Sequence, residues 1–378
     1  MQTASDAGAL AAVTSLNKVA SGNISEAIKA AKSFTASNHF TDGSNNVTVT
    51  VSIPPGDPFG SGASYINNSG YARVQISQPV TLFFGKAIGI PTVTVSTNSV
   101  GGPSGASTSV AILSSSGSGA FSMVGSSTVK MIGGDLGINS NSTTALTMNG
   151  SGSLTSSNIN IVGNYSNLGS GTITGKINTN AAAGSDPFAN LTLPQPPFTP
   201  NFTNYSKSGS NSVTLSPGVY SGGIKIVGSG TVTFNPGMYI LYGGGLSITG
   251  SGSINGTGVT FYNTGTASGA TQYKGYSVTG SGSMTLSAPT SGTYQGMLFL
   301  QDPANSVAAS ITGSASSYLA GNIYLPKAVL NITGSGTMSQ PVGITSVLQL
   351  KITGSGNLTF STQYGGGTGA SSGAALYE

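Results

Sequence analysis

The sequence predicts a mainly β fold: a right-handed parallel β-helix, or solenoid, over residues 101–364, preceded by a long helix and small α+β domain over residues 1–100. Three observations predict it. A seven-residue pattern ending in Gly-Ser-Gly recurs through the C-terminal two thirds, apolar residues alternate with period two from residue 47, and only the first 38 residues carry a helical spacing. Glycine, at 58 of 378 residues, supplies the turns that such a pattern needs.

The helical stretch runs from Thr3 to Asn38. Leu10, Val13 and Leu16 form one stripe and Ile24, Ala27, Ile28 and Ala31 a second, with Gly22 between them. Asn23 and Glu26 have the spacing of a capping box, which starts a second helix near Ile24. From Asn46 the period changes. Val47, Val49 and Val51 alternate with hydroxyl residues until Pro54-Pro55, and Ala72, Val74 and Ile76 alternate with Arg73, Gln75 and Ser77. A short helix over Leu82–Ile88 and a third strand over Thr92–Ser96 complete the α+β domain.

The repeat then takes over. Ile224–Gly230, Leu246–Gly252, Tyr276–Gly282, Leu330–Gly336 and Leu350–Gly356 share it, Ala309–Ala315 is a variant, and weaker copies sit at Gly117, Gly150 and Gly169. Successive leading glycines from Gly228 to Gly354 stand 22, 30, 33, 21 and 20 residues apart. Apolar residues four and two places before each of these glycines share one strand face, while Lys225, Ser247, Asn331 and Lys351 take the other. One coil cannot bury that apolar face alone, and stacked coils can. Ten coils would make a rod of roughly 50 Å. The stretch 185–205 holds Pro187, Pro194, Pro196, Pro197 and Pro200 and is expected to leave the rod, since proline cannot donate to a ladder. A glycine-rich tail, 365–378, closes the chain, with Ala374–Tyr377 able to add a strand to a sheet.

Composition excludes several functions. Twelve cations are scattered and not clustered, so nucleic acid is not an expected partner. There is no cysteine for thiolate chemistry, no apolar run of 18 residues to span a membrane, and no charged-then-apolar opening of an intact signal peptide. Beyond residue 101 the acids are Asp135, Asp186, Asp302 and Glu378, too dispersed for a carboxylate pair at a glycosidic bond, and the one arginine, Arg73, precedes the solenoid. The repeat carries Ser or Thr where calcium-binding nonapeptides carry Asp, so no metal is expected. His39 has no second histidine and reads as a helix-end residue. Gly171–Lys176 is one residue short of a phosphate loop, and Ile177 stands in the magnesium-ligand position. No catalytic residue, cofactor or metal site follows.

Two surface features remain. Thr249, Thr279, Thr312, Thr333 and Thr353 share one outward position of the repeat and should form a ladder; this stabilises stacking or presents a hydroxyl array to ice or an ordered polysaccharide. Asn190, Asn201, Asn204, Asn331 and Asn357 head Asn-x-Ser/Thr sequons, candidates for glycosylation.

The opening Gln2–Ala12, the valine-rich run into Pro54-Pro55, and Tyr71–Gly89 with Gln78-Pro79 before Leu82-Phe83-Phe84 resemble TadG-like proteins of bacterial Tad (Flp) pilus assembly. Gly237–Leu241 and Ala288–Tyr294 resemble members with a β-helical C-terminal half. The usual upstream hydrophobic helix and an Asp-x-Ser-x-Ser adhesion motif are not in the sequence. The resemblance implies an extracellular or bacterial cell-surface location and a structural or adhesive role. The expected function is non-catalytic: self-assembly into a surface filament or a pilus-associated component, with the helix stripe Leu10, Val13, Leu16, Ile24 and Ile28 as the assembly surface. The expected partners are further copies of the chain, other pilus or envelope proteins, and surface polysaccharide. Alternatives are an adhesin or carbohydrate- or ice-binding rod, and a polysaccharide-active β-helix enzyme.

Overall fold

The computed structural model describes residues 1–18, 24–56, 65–66, 70–103, 108–269, 271–314, 316–362 and 374–377. It divides into two compact units, Met1–Ser107 with Ser371–Glu378, and Thr108–Ala370, so the second is an insertion in the chain of the first.

In the first unit α1 (Gln2–Lys18) and α2 (Ile24–Ser37) pack with an antiparallel sheet of β1 (Thr48–Ser52), β2 (Ala72–Thr81), β3 (Thr92–Pro103) and a C-terminal strand, Ala374–Tyr377. That last strand pairs with Val100–Pro103 of β3, so the end of the tail closes the sheet. The second helix starts where the spacing places it; Gly22 and Asn23 lie outside the described residues. His39 occupies the left-handed position at the end of α2 (φ 72°), where Phe40 N donates to Thr35 O at 2.9 Å and His39 N to Ala36 O at 3.0 Å, a Schellman closure. Only a 3-10 turn, Gly85–Ile88, stands within the helix expected over Leu82–Ile88, and β3 runs well past Ser96.

The alanine content of α1 has a packing reason. A Cβ on Gly8 would lie 2.8 Å from Thr35 Cγ2, and one on Gly101 would lie 2.5 Å from Ala9 O, so helix, helix and strand approach closely through small residues. Val13 and Leu16 are buried in this core with Val49, Val74 and Ile76. This corrects the assembly-helix expectation: those two residues are already partnered within the unit, Leu10 and Ile28 are half-buried, and only Ile24 is exposed.

In the second unit the strands form a 25-stranded parallel sheet among the described residues, consistent with a parallel β-helix. Three ladders run through it. The first follows the Gly-Ser-Gly strands, the second the strands just after that turn, and the third the strands that complete each coil, such as Val259–Thr264, Met297–Gln301 and Asn322–Leu325. Apolar side chains from all three meet in one core.

The order of the rungs differs from the order of the chain. Along the first ladder Ser206 pairs with Lys225, then Ser247, Ser277, Ser310, Asn331 and Lys351 follow in sequence order. Lys351 does not end the stack. It pairs with Ser122, Ser122 with Thr147, and Thr147 with Ser166. The coils of residues 108–178 therefore stack beyond the C-terminal coil, and the chain reaches the far end of the stack through residues 179–201 before laying down the other coils. Ten rungs at ~4.8 Å put the two ends about 43 Å apart, a span that 23 extended residues cover easily.

Hence the proline-rich segment 185–205 does not leave the rod; its prolines keep it extended as a strap along the third ladder. Asn139 holds Gly184 in both directions (2.7 and 2.8 Å), and Tyr324 Oη donates to Asp186 at 2.8 Å. Further along, Tyr294 Oη donates to Thr192 O at 3.1 Å, Phe198 lies against Tyr242 and Tyr262, and Val219 N donates to Asn201 at 2.8 Å. Phe188 is buried with Tyr262, Leu300, Tyr324 and Ile344. That cover explains why Val259–Thr264 and Met297–Gln301 are buried on both sides and read as continuous apolar runs.

Candidate functional site

The outward side of the first ladder is the candidate site. Its polar column, from Ser206 to Ser166 in stack order, contains Lys225, Lys351 and otherwise only Ser, Thr and Asn. Two residues along each strand stands the threonine ladder: Thr249 pairs with Thr279, Thr279 with Thr312, Thr312 with Thr333 and Thr333 with Thr353. Four of these are exposed and Thr312 is half-buried. Val227 precedes them and Val124 follows, so the threonines occupy five consecutive rungs. Parallel strands place the hydroxyls on a grid of ~4.8 Å along the stack and ~6.6 Å along the strand.

The grid owes its regularity to the glycines beside it. Gly250 has φ 143°, and a Cβ there would lie 1.9 Å from Gly228 O; a Cβ on Gly354 would lie 2.2 Å from Gly334 O, and one on Gly125 2.4 Å from Gly354 O. Each leading glycine thus touches the backbone of the next rung and fixes the spacing of the hydroxyls beside it. The weak copy at Gly117 lies outside this ladder, which Gly125 occupies in that coil. Between the glycine corner and the core runs a groove of about 50 Å³, lined by Val278, Ile311, Ile332, Met284 and Met338. It has room for a water or two and not for a sugar ring.

The four acids serve local structure where they are described. Asp135 is buried and accepts from Asn158 N and Nδ2 at 3.1 and 3.0 Å; burial pushes its carboxyl above the usual carboxylate range against the pull of those bonds. Asp186 fastens the strap to Tyr324, whose hydroxyl is driven upward by burial first and by that carboxylate second. Asp302 accepts from Thr264 Oγ1 at 2.7 Å and Ala304 N at 2.8 Å, closing a turn. Glu378 lies outside the described residues. Among the described residues no group of three or more His, Asp or Glu could hold a metal ion, and no helix is long and apolar enough to cross a membrane. Of Gly171–Lys176, all but Gly171 lies in a strand, Thr172–Asn178.

The sequon asparagines scatter. Asn190 is exposed on the strap, Asn204 is exposed with φ 48°, and Asn357 is exposed on the second ladder. Asn201 is exposed but bonded to Val219 N, and Asn331 is half-buried in the polar column with Nδ2 3.4 Å from Ala309 O.

What the sequence did not reveal is the state of the two terminal rungs. Among the described residues the strands Tyr165–Asn167 and Thr172–Asn178 pair on one side only, as do Phe202–Ser208 and Val213–Leu215 at the opposite end. Their inward side chains Ile173, Ile177, Phe202, Tyr205 and Val213 are only partly buried. The chain joins and leaves the stack at adjoining internal rungs, where Val110 pairs with Thr345 and Ile132 with Ser361. No family model, curated protein or solved structure matches the chain.

Proposed function

We propose that the chain is a non-catalytic structural protein of the bacterial cell surface or extracellular space, whose solenoid, a right-handed parallel β-helix, self-assembles into a filament or a pilus-associated component. The observation that carries this reading is the pair of one-sided terminal rungs. Each end offers a row of backbone donors and acceptors and a half-covered apolar floor, and the two ends are different faces of one repeating structure. Joining unlike ends produces a heterologous contact that does not close, which is the geometry of a filament. The likeness of the opening segment to TadG-like proteins supports the location and adds pilus or envelope proteins as partners. Electron microscopy of the purified chain tests the reading. Rods longer than one molecule are expected, and lysine at Ile173 or Val213 should shorten them; single particles at every concentration would overturn it.

A second reading rests on the five-rung threonine ladder: a rod that binds surface polysaccharide or ice through its hydroxyl grid. Alanine at Thr279, Thr333 and Thr353 would then abolish glycan retention or thermal hysteresis while leaving rod length unchanged.

A further inference from the structure

We propose that the open edge of β3, with the tip of the β2–β3 hairpin, is a dimer contact that pairs antiparallel with the same edge of a second copy. β3 is paired with β2 from Thr92 to Gly101. On its other side, among the described residues, only Val100–Pro103 is covered, by the C-terminal strand. The edge from Thr92 to Thr97 is therefore without a backbone partner, and Thr92–Ser96 are all exposed; beyond it Gln2 Nε2 donates to Asn98 O at 3.5 Å and Ser99 is buried against Ser5 of α1. It carries no charge, no proline and no bulge, the devices by which isolated strands are kept from pairing.

Apolar side chains cluster nearby, with Lys86 the one charged residue of the tip. Val93 pairs with Val80 and lies on the same face as Val95, continuing the face that Val74 and Ile76 bury beneath the helices. At the tip, Phe83 and Phe84 are 87% and 80% exposed and Ile88 75% exposed. The tip is an ordered platform: Leu82 N donates to Pro91 O at 3.0 Å, Ile90 N to Gly85 O at 2.8 Å, and a Cβ on Gly85 would lie 2.0 Å from Ile90 O. Val80, Phe83, Phe84, Ile88, Val93 and Val95 together expose on the order of 700 Å² per copy, close to the ~800 Å² that each partner buries in a standard interface.

The chemistry selects a strand as occupant. An open edge needs hydrogen-bond partners that lipid cannot supply, and a second copy supplies them in a two-fold arrangement. Opposed residues of such a pair must share a face, so a register centred on Val95 sets Val95 against itself and Val93 against Thr97 of the other copy. That register spans residues 92–98, displaces the long contact of Gln2 Nε2 with Asn98 O at 3.5 Å, and ends before Val100, where Tyr377 already sits.

The contact deepens the self-assembly reading and rests on it for its use, but it is tested separately. The chain has no cysteine, so Val95→Cys introduces a single thiol. Oxidised Val95→Cys should run as a covalent dimer, while Thr50→Cys on β1 should not. By sedimentation, the unmodified chain should contain dimers, and Val93→Lys/Val95→Lys should raise the dissociation constant at least 100-fold with an unchanged circular dichroism spectrum. Dimers insensitive to the lysines and uncrosslinked at position 95 would overturn this contact and leave end-to-end assembly standing. Dimers without filaments would uphold it and sink the filament. A monomer that binds vesicles of phosphatidylglycerol and phosphatidylcholine through Phe83 and Phe84 would overturn it in favour of lipid.

Discussion

Replacing Gly250 by alanine tests the glycine ladder at its centre. The residue has φ 143°, a conformation that costs an L side chain on the order of 1–3 kcal/mol. Its new Cβ would lie 1.9 Å from Gly228 O and 2.8 Å from Gly228 C, and no rotamer change relieves a clash with backbone. The rungs must part, which weakens the bond from Gly228 N to Thr249 O, now 2.9 Å, for about 1 kcal/mol more. A loss of about 3 kcal/mol is expected. Ser251→Ala, exposed in the same turn, should change stability by less than about 0.5 kcal/mol. Urea unfolding followed by circular dichroism measures both, and hydrogen exchange locates the damage. In a stack of parallel rungs each rung depends on its neighbours, so faster exchange should concentrate in residues 224–250 and 276–284. Equal unfolding midpoints for the two variants, or exchange raised evenly along the stack, would show that Gly250 does not set the rung spacing.

Four further outcomes follow from the same physics. Phe188→Ala should cost about 3–4 kcal/mol and expose residues 189–200 to protease, because the ring is buried under the strap; an uncut strap would show that its prolines alone hold it down. Truncation after Gln340 should unfold far more than one coil, since the rung it removes lies between residues 322–340 and 108–132; a folded product missing only local protection would contradict the rung order. Asp135 is raised in the folded state, so the folded chain holds more protons than the unfolded one and stability falls as pH rises from about 4 through that raised value; Asp135→Asn should flatten this slope in acid-range urea titrations. Burial pushes Tyr220 and Tyr262 up to about 12, so their stabilisation is present below pH 10 and is lost between about 10 and 12; absorbance of tyrosinate should rise in step with unfolding there, and free titration near 10 would refute the burial.

Much of the fold was legible because its causes are local. Leu246, Ile248 and Gly250 fall at the spacing a strand and a corner require, and the same spacing appears wherever a rung is built. His39 was legible as a helix end for the same reason. Of the candidate site, the threonine ladder could be read directly, since Thr249 and Thr279 hold equivalent places in consecutive coils. The strap and the hairpin tip were not legible in the same way. Pro194 to Pro200 disqualify a strand without saying where the chain goes, and Phe83-Phe84 would suit a core as well as a surface. Only contacts made by distant residues, Tyr324 with Asp186 and Phe198 with Tyr262, tell the strap from a free loop.

Residue order alone defines what a rung is: which side chains turn inward, where the chain must bend, and why glycine stands at the bend. The tertiary structure decided which rung lies on which. Rungs built to one pattern present nearly interchangeable edges, so local chemistry cannot say that Lys351 pairs with Ser122 and that Ser206 and Ser166 stand at opposite ends. That choice depends on a strap long enough to span the stack and on the aromatic pockets that hold it, an arrangement that exists only once all the coils are in place.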